Sequence, residues 1–122
     1  MATTALTTEN FNETLEDNDV VLIDFWAEWC GPCKMFGPIY ERASERHTDV
    51  VFGKVDTEDQ RALAAEFGIM SIPTLMAVRE KVVVFSQPGV LPEEAIDQLL
   101  EQVRALDMDE VRASIVEESS RV

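Results

Sequence analysis

A run of seven residues near the N-terminus constrains the fold more than any other part of the sequence. Residues 20–26 read Val-Val-Leu-Ile-Asp-Phe-Trp, so apolar side chains occupy odd and even positions alike, with Asp24 as the only exception. Successive side chains of a strand point to opposite faces, so both faces of this strand must be covered. Residues 50–56 have a similar pattern, and a segment with helical spacing follows each run. We therefore predict an α/β fold, with a central sheet flanked by helices on both faces.

Periodicity and capping residues assign the remaining segments. Two short β-rich runs predict an antiparallel hairpin, which makes the sheet a mixed one. Pro38 should kink the second helix, and Gly68 should end the third in the left-handed conformation. The apolar stripe of the last helix could dock a partner, but core packing is the simpler interpretation because the sheet must be covered. The predicted helices span residues 11–17, 33–46, 56–67 and 92–106, and the hairpin strands span 74–78 and 82–86.

The length of 122 residues allows one domain with a single core. We assign residues 1–106 to this domain. The acidic extension, residues 107–122, has apolar residues at spacings of three and four, and it is either one more short helix or a frayed tail.

Charge and hydropathy limit the partners. The net charge of −14 disfavours nucleic acid and anionic membranes, because phosphate recognition depends on clustered Lys and Arg. The longest uncharged run, residues 67–78, is only 12 residues long and contains Pro73, so it is too short to span a bilayer. The N-terminus has no export signal, and two cysteines are too few for the disulfide framework of a small secreted domain. We expect a soluble, cytoplasmic monomer.

Ligands for a metal are scarce. Only Cys30, Cys33 and His47 have soft donor atoms, whereas a structural zinc ion needs four ligands. We expect no metal and no cofactor, although half of a zinc site completed by a second chain is an alternative for the two cysteines.

Cys30 and Cys33 lie three residues apart, where the chain passes from the strand into a helix. The positive end of a helix favours a thiolate, so we predict Cys30 as the attacking thiolate, more exposed than Cys33, and Cys33 as the buried resolving thiol. A purely structural staple is the alternative. It would contribute only about 2 kcal/mol, because the closed loop is so short.

Asp24 is the only charge in its strand. Burial should raise its pKa, which suits a proton acceptor for Cys33. Alternatively, Asp24 is a buried carboxylate that Lys54 satisfies across neighbouring strands, and the two roles are compatible.

Residues 25–34, Phe-Trp-Ala-Glu-Trp-Cys-Gly-Pro-Cys-Lys, resemble the active-site segment of the thioredoxin family. The resemblance covers roughly residues 6–106 and implies the thioredoxin fold. It also implies a protein-disulfide reductase that an NADPH-dependent flavoprotein, thioredoxin reductase, recharges. Such a protein maintains cell redox homeostasis and donates electrons to reductases and peroxidases. Further matching positions are Asp24, Pro38, Lys54, Asp56, Ile72-Pro73-Thr74 and Gly89.

The resemblance also implies roles for individual residues. Gly31, Pro32, Lys54 and Pro73 would tune the redox chemistry. The Ile72–Pro73 peptide would be cis and lie against the disulfide. The residues that would bind the substrate polypeptide are Trp29, Ile72, Pro73 and Gly89, although Trp29 could instead be ordinary packing.

The sequence departs from the family at three positions near these substrate-binding residues: Met70, Ser71 and Pro88. These departures affect the choice of partners rather than the chemistry. A binding module with the same fold, in which the thiols matter less than the surface, is an alternative function. An oxidase or isomerase is disfavoured, because no His lies between the cysteines and no export signal is visible.

Overall fold

The computed structural model describes the backbone of residues 2–119 and the side chains of residues 2–116. The elements in chain order are β1 (Thr3–Ala5), α1 (Phe11–Asp17), β2 (Val20–Trp26), α2 (Gly31–Arg46), β3 (Val51–Asp56), α3 (Arg61–Glu66), β4 (Thr74–Arg79), β5 (Val82–Pro88), α4 (Glu93–Ala105) and α5 (Met108–Ser119). None of the described helices is long and apolar enough to cross a membrane.

The five strands form one mixed sheet in the order β1-β3-β2-β4-β5. β2 pairs in parallel with β3 and antiparallel with β4, and β1 pairs in parallel with β3. Leu22 and Phe52 pack with residues of α2 and α4 on one face. Ile23 and Phe25 pack with residues of α1 and α3 on the other. The predicted α/β fold with both faces of β2 covered is therefore confirmed.

Several element boundaries differ from the prediction. β1 is not predicted, because it has only three residues and no hydrophobic pattern of its own. α3 begins at Arg61 rather than near residue 56, because Asp56 Oδ1 accepts the amides of Glu58 and Asp59 (3.0 and 3.3 Å) and holds the preceding residues in turns. α2 begins at Gly31, two residues earlier than predicted, and Pro92 is the N-cap of α4 rather than part of its first turn.

The acidic extension is helical from Met108 to Ser119. Asp107 Oδ1 accepts the amides of Asp109 and Glu110, at 3.0 and 3.2 Å, and so begins α5. Met108 is buried, and Arg112 forms an ion pair with Glu80 at the hairpin turn. Residues 120–122 lie outside the described part of the chain.

Gly53 lies where β3 and the segment after β1 approach most closely. A Cβ at this position would clash with Leu6 Cδ1 and lie 2.8 Å from Leu6 Cγ and 3.3 Å from the Leu22 carbonyl oxygen. Leu6 is itself fully buried, so its side chain has little freedom to move aside. We expect Gly53→Ala to lower the free energy of unfolding, measured by urea denaturation, by about 1–3 kcal/mol.

A double-mutant cycle provides the control. Leu6→Ala alone should cost about 2–5 kcal/mol, as is usual for a buried leucine. Because the methyl group of the new alanine would occupy the space that Leu6 vacates, the double variant should lose at least about 1 kcal/mol less than the sum of the single losses. Additive losses would show that the steric account of Gly53 is wrong.

Candidate active site

Cys30 and Cys33 form a disulfide at the N-terminal end of α2, with Cα atoms 5.2 Å apart. Cys30 is the N-cap residue, and its Sγ accepts a hydrogen bond from the amide of Cys33 at 3.2 Å. Pro32 lies in the first turn, where the absence of an N–H costs no helical hydrogen bond. When the disulfide opens, this amide and the positive helix end would stabilise negative charge on Cys30.

Both cysteines are buried, with 4% and 5% of their surface exposed for Cys30 and Cys33. The prediction that Cys30 is the more exposed thiol is therefore wrong for the disulfide form, because the surrounding loops cover both residues. The two sulfurs still differ in access, since Cys30 lines an open surface cleft and Cys33 does not.

The cleft has a volume of about 400 Å³ and runs past the disulfide. The residues that line it include Trp29, Gly31 and Pro32 next to Cys30 in the chain, and Met70 and Ile72 from the loop before β4. Trp29 is 69% exposed, so it is not an ordinary packing residue. Three further lining residues are not among the predicted ones: Thr57, Ala64 and Ile69. Thr57 is predictable in principle, because it follows the carboxyl end of a strand.

The Ile72–Pro73 peptide bond is cis, as the resemblance implies. The carbonyl oxygen of Ile72 lies 3.8 Å from Cys30 Sγ, and the ring of Pro73 leaves no N–H at the next position. The Pro73 carbonyl accepts the amide of Gly89 at 2.8 Å, and the backbone of Gly89 adopts a φ of +102° that favours glycine. Ile72, Pro73 and Gly89 are thus brought together beside the disulfide.

Asp24 lies in β2, on the same face of the sheet as Leu22, which α2 covers. It is completely buried, and neither carboxylate oxygen has a hydrogen-bond partner among the described residues. Burial raises the pKa of Asp24 from 3.8 to about 7, and the positive charge of Lys54 opposes that rise. Burial and the negative charges of Asp24 and Glu41 in turn raise the pKa of Tyr40 above its usual value.

Lys54 is the cross-strand neighbour of Asp24, but it does not form an ion pair with it in the described part of the chain. Its Nζ instead lies 4.7 Å from the centroid of the Trp26 ring, within the range of a cation–π interaction. The interpretation that Lys54 satisfies Asp24 by direct contact is therefore wrong. Lys54 acts on Asp24 through its charge at a distance.

No group of three or more potential metal ligands occurs among residues 2–116, whose side chains the structure describes. The site as described combines the Cys30–Cys33 pair, an open cleft that Cys30 lines and a buried carboxyl group in the preceding strand. That arrangement suits thiol–disulfide exchange, which needs a thiolate, a second thiol and access for the other disulfide.

Comparisons with known proteins agree with this chemistry. The family model described as Thioredoxin matches residues 2–102. The putative thioredoxin 2 of Streptomyces coelicolor is 62% identical over 120 residues, which cover 98% of this chain and 90% of that protein. The thioredoxin of Bacillus subtilis is 38% identical over 101 residues, covering 82% of this chain and 96% of that one.

A solved structure of a mutant thioredoxin from Halobacterium salinarum superposes with a TM-score of 0.79 at 34% identity, covering 85% of this chain and 92% of that one. Fold, site and sequence thus agree along most of the chain. This chain belongs to the thioredoxin family, and its Cys30–Cys33 pair makes it a thiol–disulfide oxidoreductase.

Proposed function

We propose that this protein reduces disulfide bonds in other proteins and is then reduced again by an NADPH-dependent thioredoxin reductase. The observation that carries the proposal is the Cys33 amide, which donates to Cys30 Sγ at the mouth of the cleft. As a monomer in the cytoplasm, with residues 1–106 as the catalytic domain, the protein would serve redox homeostasis and donate electrons to reductases and peroxidases.

The first step is attack by the Cys30 thiolate on one sulfur of the client disulfide. A bond forms between Cys30 Sγ and that sulfur, and the second client sulfur leaves as a thiolate that takes up a proton. The helix N-terminus and the Cys33 amide favour the attacking thiolate.

The second step resolves the mixed disulfide. Cys33 transfers its proton to the carboxylate of Asp24 and attacks Cys30 Sγ, which breaks the bond to the client sulfur attacked in the first step; that sulfur leaves as a thiolate and takes up a proton. An acceptor with a pKa of about 7 can take up a proton in neutral solution and give it up again. The client gains two electrons and two protons, and the protein leaves with the Cys30–Cys33 disulfide.

Gly31, Pro32, Lys54 and Pro73 tune this exchange. An imidazole between the cysteines would stabilise the thiolate and make the pair a stronger oxidant, whereas Gly31 and Pro32 have no such group. The charge of Lys54 limits the rise in the pKa of Asp24. Pro73 keeps an N–H away from the sulfurs. The Cys30–Cys33 pair therefore favours donating electrons to a client disulfide.

The client polypeptide binds along Trp29, Ile72, Pro73 and Gly89. The exposed ring of Trp29 provides apolar contact area. The backbone of Ile72, close to Cys30 Sγ, is positioned to pair with an extended client segment.

Cys33→Ser separates the two steps. Wild-type protein should reduce insulin disulfides with NADPH and thioredoxin reductase, followed as loss of NADPH absorbance. Cys33→Ser should lose this turnover, because no thiol resolves the mixed disulfide. It should instead accumulate a covalent insulin adduct on non-reducing gels.

Cys30→Ser is the matched control and should give neither turnover nor adduct. If wild-type protein and the reductase consume no NADPH, the proposed function is wrong. If Cys30→Ser forms the adduct while Cys33→Ser does not, the roles of the two thiols are reversed.

Asp24→Asn tests the buried acid. Between pH 4 and pH 7 the folded state keeps a proton on Asp24 that the unfolded state has lost, so the free energy of unfolding falls as the pH rises through this range. Above pH 7 the free energy of unfolding is about 4 kcal/mol lower than at pH 4, because each unit of pKa shift corresponds to about 1.4 kcal/mol. Asparagine cannot ionise. The free energy of unfolding of Asp24→Asn, measured by urea denaturation, should therefore rise relative to that of wild type from pH 4 to pH 7.

Asp17→Asn, at an exposed position, is the control and should follow wild type within about 0.5 kcal/mol throughout. Parallel curves for Asp24→Asn and wild type would contradict a raised pKa at Asp24.

A further inference from the structure

Met70 has the most exposed large apolar side chain among the described residues, with 96% of its surface accessible. Single exposed apolar residues are common and need no explanation. Met70, however, lines the cleft beside Cys30, and so does Trp29, the second most exposed of these side chains. Two large apolar side chains exposed to solvent therefore line the same cleft as the reacting sulfur.

The loop that carries Met70 is fixed at both ends. On one side, the amides of Gly68 and Ile69 donate to carbonyls at the end of α3, at 3.1 and 3.0 Å. On the other side, Thr74 Oγ1 donates to the carbonyl of Ser71 at 2.6 Å. Met70 lies between these anchors, so its backbone is held at a defined place beside the cleft while its side chain stays free to adapt.

Met70 lies close to the point of attack. It precedes Ile72 by two positions, and the Ile72 carbonyl oxygen is 3.8 Å from Cys30 Sγ. Two residues span at most about 7 Å of chain. When a client segment pairs with Ile72, the client residues one or two positions from its reacting cysteine therefore lie next to Met70.

The electrostatic surroundings disfavour acidic clients. None of the described residues that line the cleft is charged. Five acids but only one base, Lys34, lie within two residues of a lining residue along the chain. The acids are Glu28, Asp56, Glu58, Asp59 and Glu66. A client carboxylate at Met70 would lose water to an apolar wall and gain no compensating cation.

We propose that Met70 determines client specificity: the cleft selects disulfides in polypeptide segments with an apolar side chain within two residues of the reacting cysteine, and rejects acidic side chains there. This specificity rests on the proposed reductase function. The apolar client side chain packs on the flexible thioether of Met70, which adapts to different shapes.

Single-turnover rates with synthetic peptides test the proposal. Each probe is a disulfide-linked dimer of one eight-residue peptide, and the three peptides have Leu, Gln or Glu two positions after the cysteine. Prereduced protein is mixed with the peptide, quenched with acid and analysed by chromatography. Bis(2-hydroxyethyl) disulfide, which is small and uncharged, measures the thiol chemistry without contacts at Met70.

Wild-type protein should reduce the Leu peptide about fivefold faster than the Gln peptide and at least about tenfold faster than the Glu peptide. Met70→Gln should bring the Leu-to-Gln ratio below about twofold, whereas Met70→Leu should retain it. Met35→Gln is the matched control, because Met35 is also well exposed, at 68%, but does not line the cleft. It should keep the wild-type ratios and reduce bis(2-hydroxyethyl) disulfide at the wild-type rate.

Equal rates of wild-type protein on the three peptides would overturn the proposal, and so would a Leu-to-Gln ratio that Met70→Gln leaves unchanged. In both cases reduction of bis(2-hydroxyethyl) disulfide would leave the proposed function intact. If wild-type protein reduces neither this compound nor any peptide, the reductase function itself fails.

Discussion

The hydrogen bond from the Cys33 amide to Cys30 Sγ is the interaction around which the site is organised. It exists because β2 ends four residues before Cys30 and α2 begins one residue after it. β2 is held between β3 and β4, and α2 is fixed on the sheet by the buried side chains of Phe36 and Tyr40. The donor and the sulfur are thus positioned by the core and not by the loop alone.

The second constraint is the carboxyl group of Asp24, which is buried in the core. Asp24 occupies a position where every neighbour along β2 is apolar, and it is buried without a hydrogen-bond partner among the described residues. A carboxylate in such a place lowers stability near neutral pH, and a carboxylic acid lowers it much less. Lys54, held over Trp26, keeps the pKa of Asp24 near 7 rather than higher. The cost in stability and the ability to exchange a proton have the same physical origin.

Strong, local patterns made much of the fold and site predictable. β2 was predictable because both of its faces are apolar, and the site was predictable because the two cysteines follow that strand directly. Features that depend on contacts between residues far apart in the sequence were not predictable. β1 is a strand only because it pairs with β3, and the Glu80–Lys81 turn has φ of +49° and +69° without a glycine, with the Glu80 amide bonded to the Asp19 carbonyl. The direction of the Lys54 side chain and the burial of Cys30 likewise depend on neighbours far along the chain.

The most direct test of the central claim is the titration of the Cys30 thiolate. In reduced Cys33→Ser protein Cys30 is the only thiol, and thiolate absorbance near 240 nm follows its ionisation. The titration is run on the folded protein and again in concentrated urea, where the helix end and the hydrogen bond from the amide of residue 33 are lost. We expect the midpoint of the folded protein to lie at clearly lower pH than that of the unfolded protein. Equal midpoints, or a higher midpoint in the folded protein, would contradict the account.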